Sequence, residues 1–200
     1  MKKIFFLLIS AFVFTSCTKE DSKPYLQSHD EDEMMSSLHE LIENVDTISF
    51  SKGLELDFID VMQALHHGGL DMANIMFHDG KDTALMHIAE GITLNLHALL
   101  YDLTALDSVT VHNDDTKFQA ELKENLEQMS KVADIQLITG DLDNDYATLM
   151  IPHHQLIIAT CNSYLNYSTD SSFRNKVQEI IDLENTEIFE LTNWLISNKR

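Results

Sequence analysis

Residues 140–159 read GDLDNDYATLMIPHHQLIIA, and residues 53–69 read GLELDFIDVMQALHHGG. Each stretch starts at a glycine, runs through acidic and aromatic positions to a methionine, and reaches an adjacent histidine pair. A shift of 87 positions places Gly53 on Gly140 and His66-His67 on His153-His154. The same shift places Val45 on Val132, Ile48 on Ile135 and Leu96 on Leu183 without a gap. A fixed offset between chemically similar segments is the mark of an internal repeat. The chain is therefore expected to hold two rounds of one unit: helix, paired-histidine helix, helix.

Working outward, the apolar residues recur at three and four positions, as on one face of a helix. Met34, Met35, Leu38, Leu41, Ile42, Val45 and Ile48 mark the first helix. The second is predicted from about Glu55 to Phe77, with Gly68-Gly69 either weakening its middle or admitting a close neighbour. The third runs from about Thr83 to Leu106, and Phe118 to Ile135 mark the fourth. Gly53 and Gly140 are read as ending the first and fourth helices. The fifth is expected from Asn144 to about Leu165, bending or restarting at Pro152, and the sixth from about Phe173 to Ile196. Neither unit alone has much core, so the predicted fold class is all-α. One domain over residues 33–200, with units of about 33–108 and 115–198, closes as an antiparallel helical bundle.

The 200 residues include 33 acidic and 13 basic side chains, a net charge of −20. Binding to nucleic-acid phosphates draws on basic groups, so no nucleic-acid partner is expected. At the start, Lys2-Lys3 precede an apolar run from Ile4 to Phe14 that is short for a membrane span, which is the pattern of a cleaved export signal. Phe14-Thr15-Ser16-Cys17 resembles a bacterial lipoprotein signal box, with cleavage after residue 16 and lipidation of Cys17. The following Thr18-Lys19-Glu20-Asp21 is similar to the acidic export tag of surface-displayed lipoproteins. These resemblances imply an envelope lipoprotein of the outer membrane, facing the periplasm or the cell surface. Its lipid anchor would sit in the membrane, and residues 17–32 would serve as a polar tether. Cys161 would then be the one free thiol, unable to form an intramolecular disulfide.

The residues singled out for chemistry are His66, His67, His153 and His154. Adjacent helical positions diverge by about 100°, so one member of each pair faces the bundle while the other meets a neighbour or solvent. Met62 lies four residues before His66. Met150 lies three before His153 and four before His154, spacings that share a helix face. Imidazole with thioether favours copper, Cu(I) above all, over magnesium or calcium, although another divalent metal is compatible. His97, Glu184 and Glu187 are expected to supply the opposing wall. The remaining methionines read as packing; His67, Asp71 and His78, like His87 and Glu90, share a flank that could bind a cation but reads more simply as an exposed polar face. His29, His39 and His112 are read as solvated imidazoles.

Enzyme signatures are missing: there is no Glu-x-x-His pair of a di-iron centre, no His-Glu-x-x-His, no nucleophile elbow and no phosphate-binding glycine loop. The paired-histidine segments, with Ile181, Glu184, Glu187-Ile188, Leu191 and Trp194-Leu195, resemble the bacterial family known as domain of unknown function 305. Its pattern runs Gly-Asp, Asp-aromatic, Met-x-x-His-His-Gln, then glutamine, Glu-Ile, methionine and Trp-Leu. Here Glu184 stands for the glutamine and Leu191 for the methionine. The first copy keeps Gly53, Asp57-Phe58, Met62 and His66-His67, then diverges around Asn95, His97 and Ala98. The resemblance implies a ferritin-like bundle and, as in some relatives, copper binding in the periplasm. The expected function is copper capture or buffering by an envelope-tethered, non-enzymatic protein. The alternative is a helical surface scaffold for a protein or glycan partner.

Overall fold

The computed structural model describes residues 28–29, 32–50, 52–104 and 116–198. The proposed leader, Cys17, most of the tether, His112 and the connector lie outside the described residues. Six helices account for nearly all of the rest: α1 (Glu33–Asp46), α2 (Leu54–Asp79), α3 (Thr83–Thr104), α4 (Thr116–Asp134), α5 (Leu142–Tyr167) and α6 (Ser171–Ser197). No strand occurs among the described residues, and no described helix is long and apolar enough to cross a membrane.

The fold is a helical bundle centred on α2 and α5. Helix α2 packs on its neighbours α1 and α3, α5 on α4 and α6, and the two central helices on each other. α1 also reaches α4 and α5, and α3 reaches α6. Phe58, Phe118, Tyr164 and Phe173 tie four helices together at one end. The Phe58 ring centroid lies 4.3 Å from that of Tyr164, 6.1 Å from Phe118 and 5.9 Å from Phe173. These offset and edge-on pairs add specific geometry to the large apolar area they bury.

The helix boundaries recur at an interval of 88 residues, one more than the 87-residue shift that aligns the paired histidines. Leu142 lies 88 positions after Leu54 and Tyr167 lies 88 after Asp79, so both central helices have 26 residues. The starts of α3 and α6 show the same interval, as do the ends of α1 and α4. At this spacing His66 corresponds to His154, and the exposed His67 to the exposed Gln155. Asp57, Met62 and His66 then fall on Asp145, Met150 and His154, all buried.

The extra residue sits beside the two glycines. Neither ends the preceding helix, since α1 stops at Asp46 and α4 at Asp134. Gly53 caps the start of α2, whereas Asp141 intervenes between Gly140 and α5. Both glycines have positive φ, 97° and 71°, a conformation that costs other residues a steric clash. That turn aims backbone donors at a buried aspartate one turn into the helix. Gly53 N donates to Asp57 at 3.1 Å and Gly140 N to Asp145 at 2.8 Å. Lys52 N and Thr139 N join them, and Thr139 Oγ1 adds a 2.8 Å bond to Asp145. A carboxylate is favoured at this end of a helix dipole. The Gly…Asp part of the repeated pattern is thus an anchor for the loop.

Pro152 lies inside α5, which does not restart there. The helix loses one backbone donor at that turn, but ordered helix continues for four turns beyond, held by packing on both α4 and α6. Trp194 closes the bundle from the far end, donating its indole N–H to Asp82 at 3.1 Å; the same carboxylate caps α3 through Ala84 N and Leu85 N.

Candidate metal centre

Helix α5 presents His153 and His154 side by side, with ring centroids 5.5 Å apart and planes at 60°. Both are fully buried, as is His66 on the facing α2. α6 supplies Glu184 and Glu187, three apart on one face and also buried. Nδ1 of His154 is hydrogen-bonded to Glu184 Oε2 and lies 3.5 Å from Glu187 Oε2. Asn95 of α3 donates to the other oxygen of Glu187 at 2.9 Å. One ligand atom each of His154, Glu184 and Glu187 lie within 4.8 Å of one another.

The electrostatics divide the imidazoles into two kinds. Burial pushes His66 down to about 3, helped by repulsion from His154 and His67, and burial with repulsion from His154 and His66 holds His153 well below the ordinary range. Both are therefore neutral, which is the ligand form. Burial also opposes charge on His154, but Glu184, through its charge and hydrogen bond, and Glu187 outweigh it and raise the pKa. Glu187 is lifted to about 7, chiefly by burial and by the charge of Glu184, against the pull of His154 and Asn95. Two carboxylates beside one another out of water need positive charge, and one imidazolium supplies only part of it.

Several donors here have no hydrogen-bond partner among the described residues: both ring nitrogens of His66 and His153, Nε2 of His154, one oxygen each of Glu184 and Glu187, and the hydroxyl of Tyr146. Buried polar groups are nearly always satisfied, so this concentration at one spot fits a cation. The donor chemistry agrees, since neutral imidazole and carboxylate are ligands for zinc, copper and iron.

Met62 and Met150 are buried one turn before His66 and His154 on their own helices. His67 and His97 stand outside the cluster, exposed on their helices. For His67 the reason is the hundred-degree step from buried His66. His97 is likewise one step from the buried Leu96, and Asn95 on the other side of Leu96 reaches Glu187 in its place.

Gly69 was legible only as a residue permitting close packing, and the structure gives that packing an object. A Cβ there would meet His153 Nε2 at 2.8 Å and Leu96 Cδ1 at 3.3 Å, so the missing side chain makes room for the imidazole. Gly68 similarly admits Leu41. Tyr146 and Asn95 were not singled out as site residues. The aromatic after Asp145 was visible in the repeated pattern, but nothing in the spacing of α3 pointed to Asn95.

Cys161 is buried, and its thiol is pushed well up by burial and by Glu184. Burial of this kind disfavours the thiolate, the reactive form of cysteine.

The fold has a solved counterpart. A crystal structure of a DUF305 fragment from Deinococcus radiodurans superposes with a TM-score of 0.52 at 18% identity, covering 71% of this chain and 95% of that one. No curated protein matches the sequence. The sequence profile of the family described as Domain of unknown function (DUF305) matches residues 55–195, which span the central helices and every buried donor of the cluster. The chain therefore belongs to the DUF305 family.

Proposed function

We propose that this protein captures or buffers copper ions at the bacterial cell envelope, holding them between α2, α5 and α6. The observation that carries this reading is the convergence of His154, Glu184 and Glu187 beside the unpaired imidazoles of His66 and His153, all buried. His66, His153 and His154 are the imidazole donors, and Glu184 and Glu187 supply charge. Imidazole and carboxylate alone suit several metals; the thioethers of Met62 and Met150, on the same helix faces, favour copper, with Cu(I) the softer match. The envelope setting is supported by the Lys2-Lys3 start, the apolar run from Ile4 to Phe14 and the lipidation pattern ending in Cys17.

The test is metal analysis of protein purified without chelator or affinity-tag metal, followed by titration with Cu(I), Cu(II) and Zn(II). One copper per chain is expected, bound more tightly than zinc, and lost when His66, His153 and His154 are all replaced by alanine. Copper binding unchanged by that triple replacement would falsify the assigned site. Tighter binding of zinc than of either copper ion would keep the site and reject copper as its cargo.

A further inference from the structure

A second group of donors lies on the α1–α4 side of the molecule. His29 precedes α1, His39 lies within it, and Asp134 is the last residue of α4. Nε2 of His39 is 3.3 Å from Asp134 Oδ1, and Nε2 of His29 is 3.8 Å from the same oxygen. The two rings face each other at a tilt of 40°, with centroids 5.3 Å apart. One ligand atom from each of the three residues lies within 4.8 Å of the other two.

We propose that His29, His39 and Asp134 form a surface site for a borderline divalent cation of the zinc class, clamping the segment before α1 to the end of α4. The distances carry the argument. Metal–nitrogen and metal–oxygen bonds of about 2.0–2.2 Å put neighbouring ligands of a tetrahedral zinc roughly 3.3–3.6 Å apart. The spacings around Asp134 Oδ1 bracket that edge, so a cation needs only small side-chain movements to seat. Two imidazoles with one carboxylate select a zinc-like ion over magnesium or calcium. His29 and His39 are about one-third exposed and Asp134 about half, leaving the fourth position to water.

The other described surface histidines lack this convergence. His78 and His87 each face one carboxylate from their own helix, Asp79 and Glu90, and are more than four-fifths exposed. A lone imidazole with one neighbouring acid is an ordinary surface pair. Three donors from segments about a hundred residues apart require the tertiary fold.

This inference is independent of the buried cluster, and the experiment keeps them apart. Zn2+ is titrated calorimetrically into the full chain and into His39→Ala, Asp134→Asn, His87→Ala and His154→Ala. Unchanged helical circular dichroism is expected for the replacements at His39 and Asp134, which are partly exposed. Both should bind one Zn2+ fewer than the wild type and lose its zinc-dependent rise in melting temperature, while His87→Ala keeps both. His154→Ala should retain this equivalent even if it loses another. Equal stoichiometry and equal stabilisation in His39→Ala, Asp134→Asn and wild type would overturn the proposal. So would loss of the zinc equivalent in the His87 variant to the same degree.

Discussion

Glu184 on α6 accepts the Nδ1 proton of His154 on α5, and both side chains are completely buried. This hydrogen bond leaves Nε2 of His154 as the ring's unpaired nitrogen. Carboxylates commonly fix a metal-binding imidazole in this way, setting its tautomer and raising its basicity.

The first prediction follows from that pair. Glu184→Gln should lower the His154 pKa, read by NMR titration of the ring, because burial is then opposed by less negative charge. Metal affinity should fall by about 10–100-fold, the usual cost of losing such a partner. An unchanged titration would mean that Glu184 does not control His154.

Acid stability should report His66 and His153. Their folded pKa values are depressed, His66 to about 3 from 6.5. Between those limits the unfolded chain binds the extra proton, so this stability is present above the unfolded pKa and is lost as pH falls. Each group contributes a slope of about 1.4 kcal/mol per pH unit. Glu187 works oppositely: raised to about 7 from 4.5, it contributes stability below its unfolded pKa that is lost as pH rises to 7. Urea midpoints of metal-free protein across this range should fall less steeply on acidification in His66→Leu than in the wild type. Parallel curves would refute the assignment of that slope to His66.

Two glycines in helices should respond with opposite signs. Gly69→Ala drives a methyl group to 2.8 Å from His153 Nε2. Its gain in helix propensity of about 1 kcal/mol is outweighed by overpacking, typically 1–3 kcal/mol, so a lower melting temperature is expected. A Cβ at Gly91 meets nothing within 4 Å. Gly91→Ala should therefore stabilise by about 0.5–1 kcal/mol. Equal shifts from both would show that His153 yields freely.

Asp145→Ala should destabilise by roughly 3 kcal/mol, because it strips a buried acceptor from Thr139 and Gly140 and leaves their donors without it. Metal stoichiometry in the folded fraction should be unchanged. A loss of binding without a loss of stability would move Asp145 from loop anchor to ligand.

Six helices and their approximate ends were legible because apolar spacing and turn residues act locally. The fifth helix was harder: Pro152 signals a break, and packing from the surrounding helices, α4 and α6 above all, explains its continuation. The buried members of the cluster were also legible, through the paired histidines and the Glu184–Glu187 spacing. The choice between His66 and His67 was not. It depends on which of two adjacent helical positions, about 100° apart, is turned toward the interior, and the paired pattern is silent on that. Asn95 and Gly69 depend on which helices meet, information carried by no single segment. His29 and His39 read as ordinary surface groups for the same reason, since Asp134 joins them only in three dimensions.

Leu96 lies 88 positions before Glu184 on the corresponding helix, and both are buried. At that interval an aliphatic side chain on α3 stands where α6 carries a carboxyl group. His66 comes from α2 and the acidic pair from α6, so severing the chain between α3 and α4 would divide the donors proposed to hold the ion. On the proposed reading, an ion held there would be discharged when α2 parts from α5, and the cohesion of those two helices would be its latch.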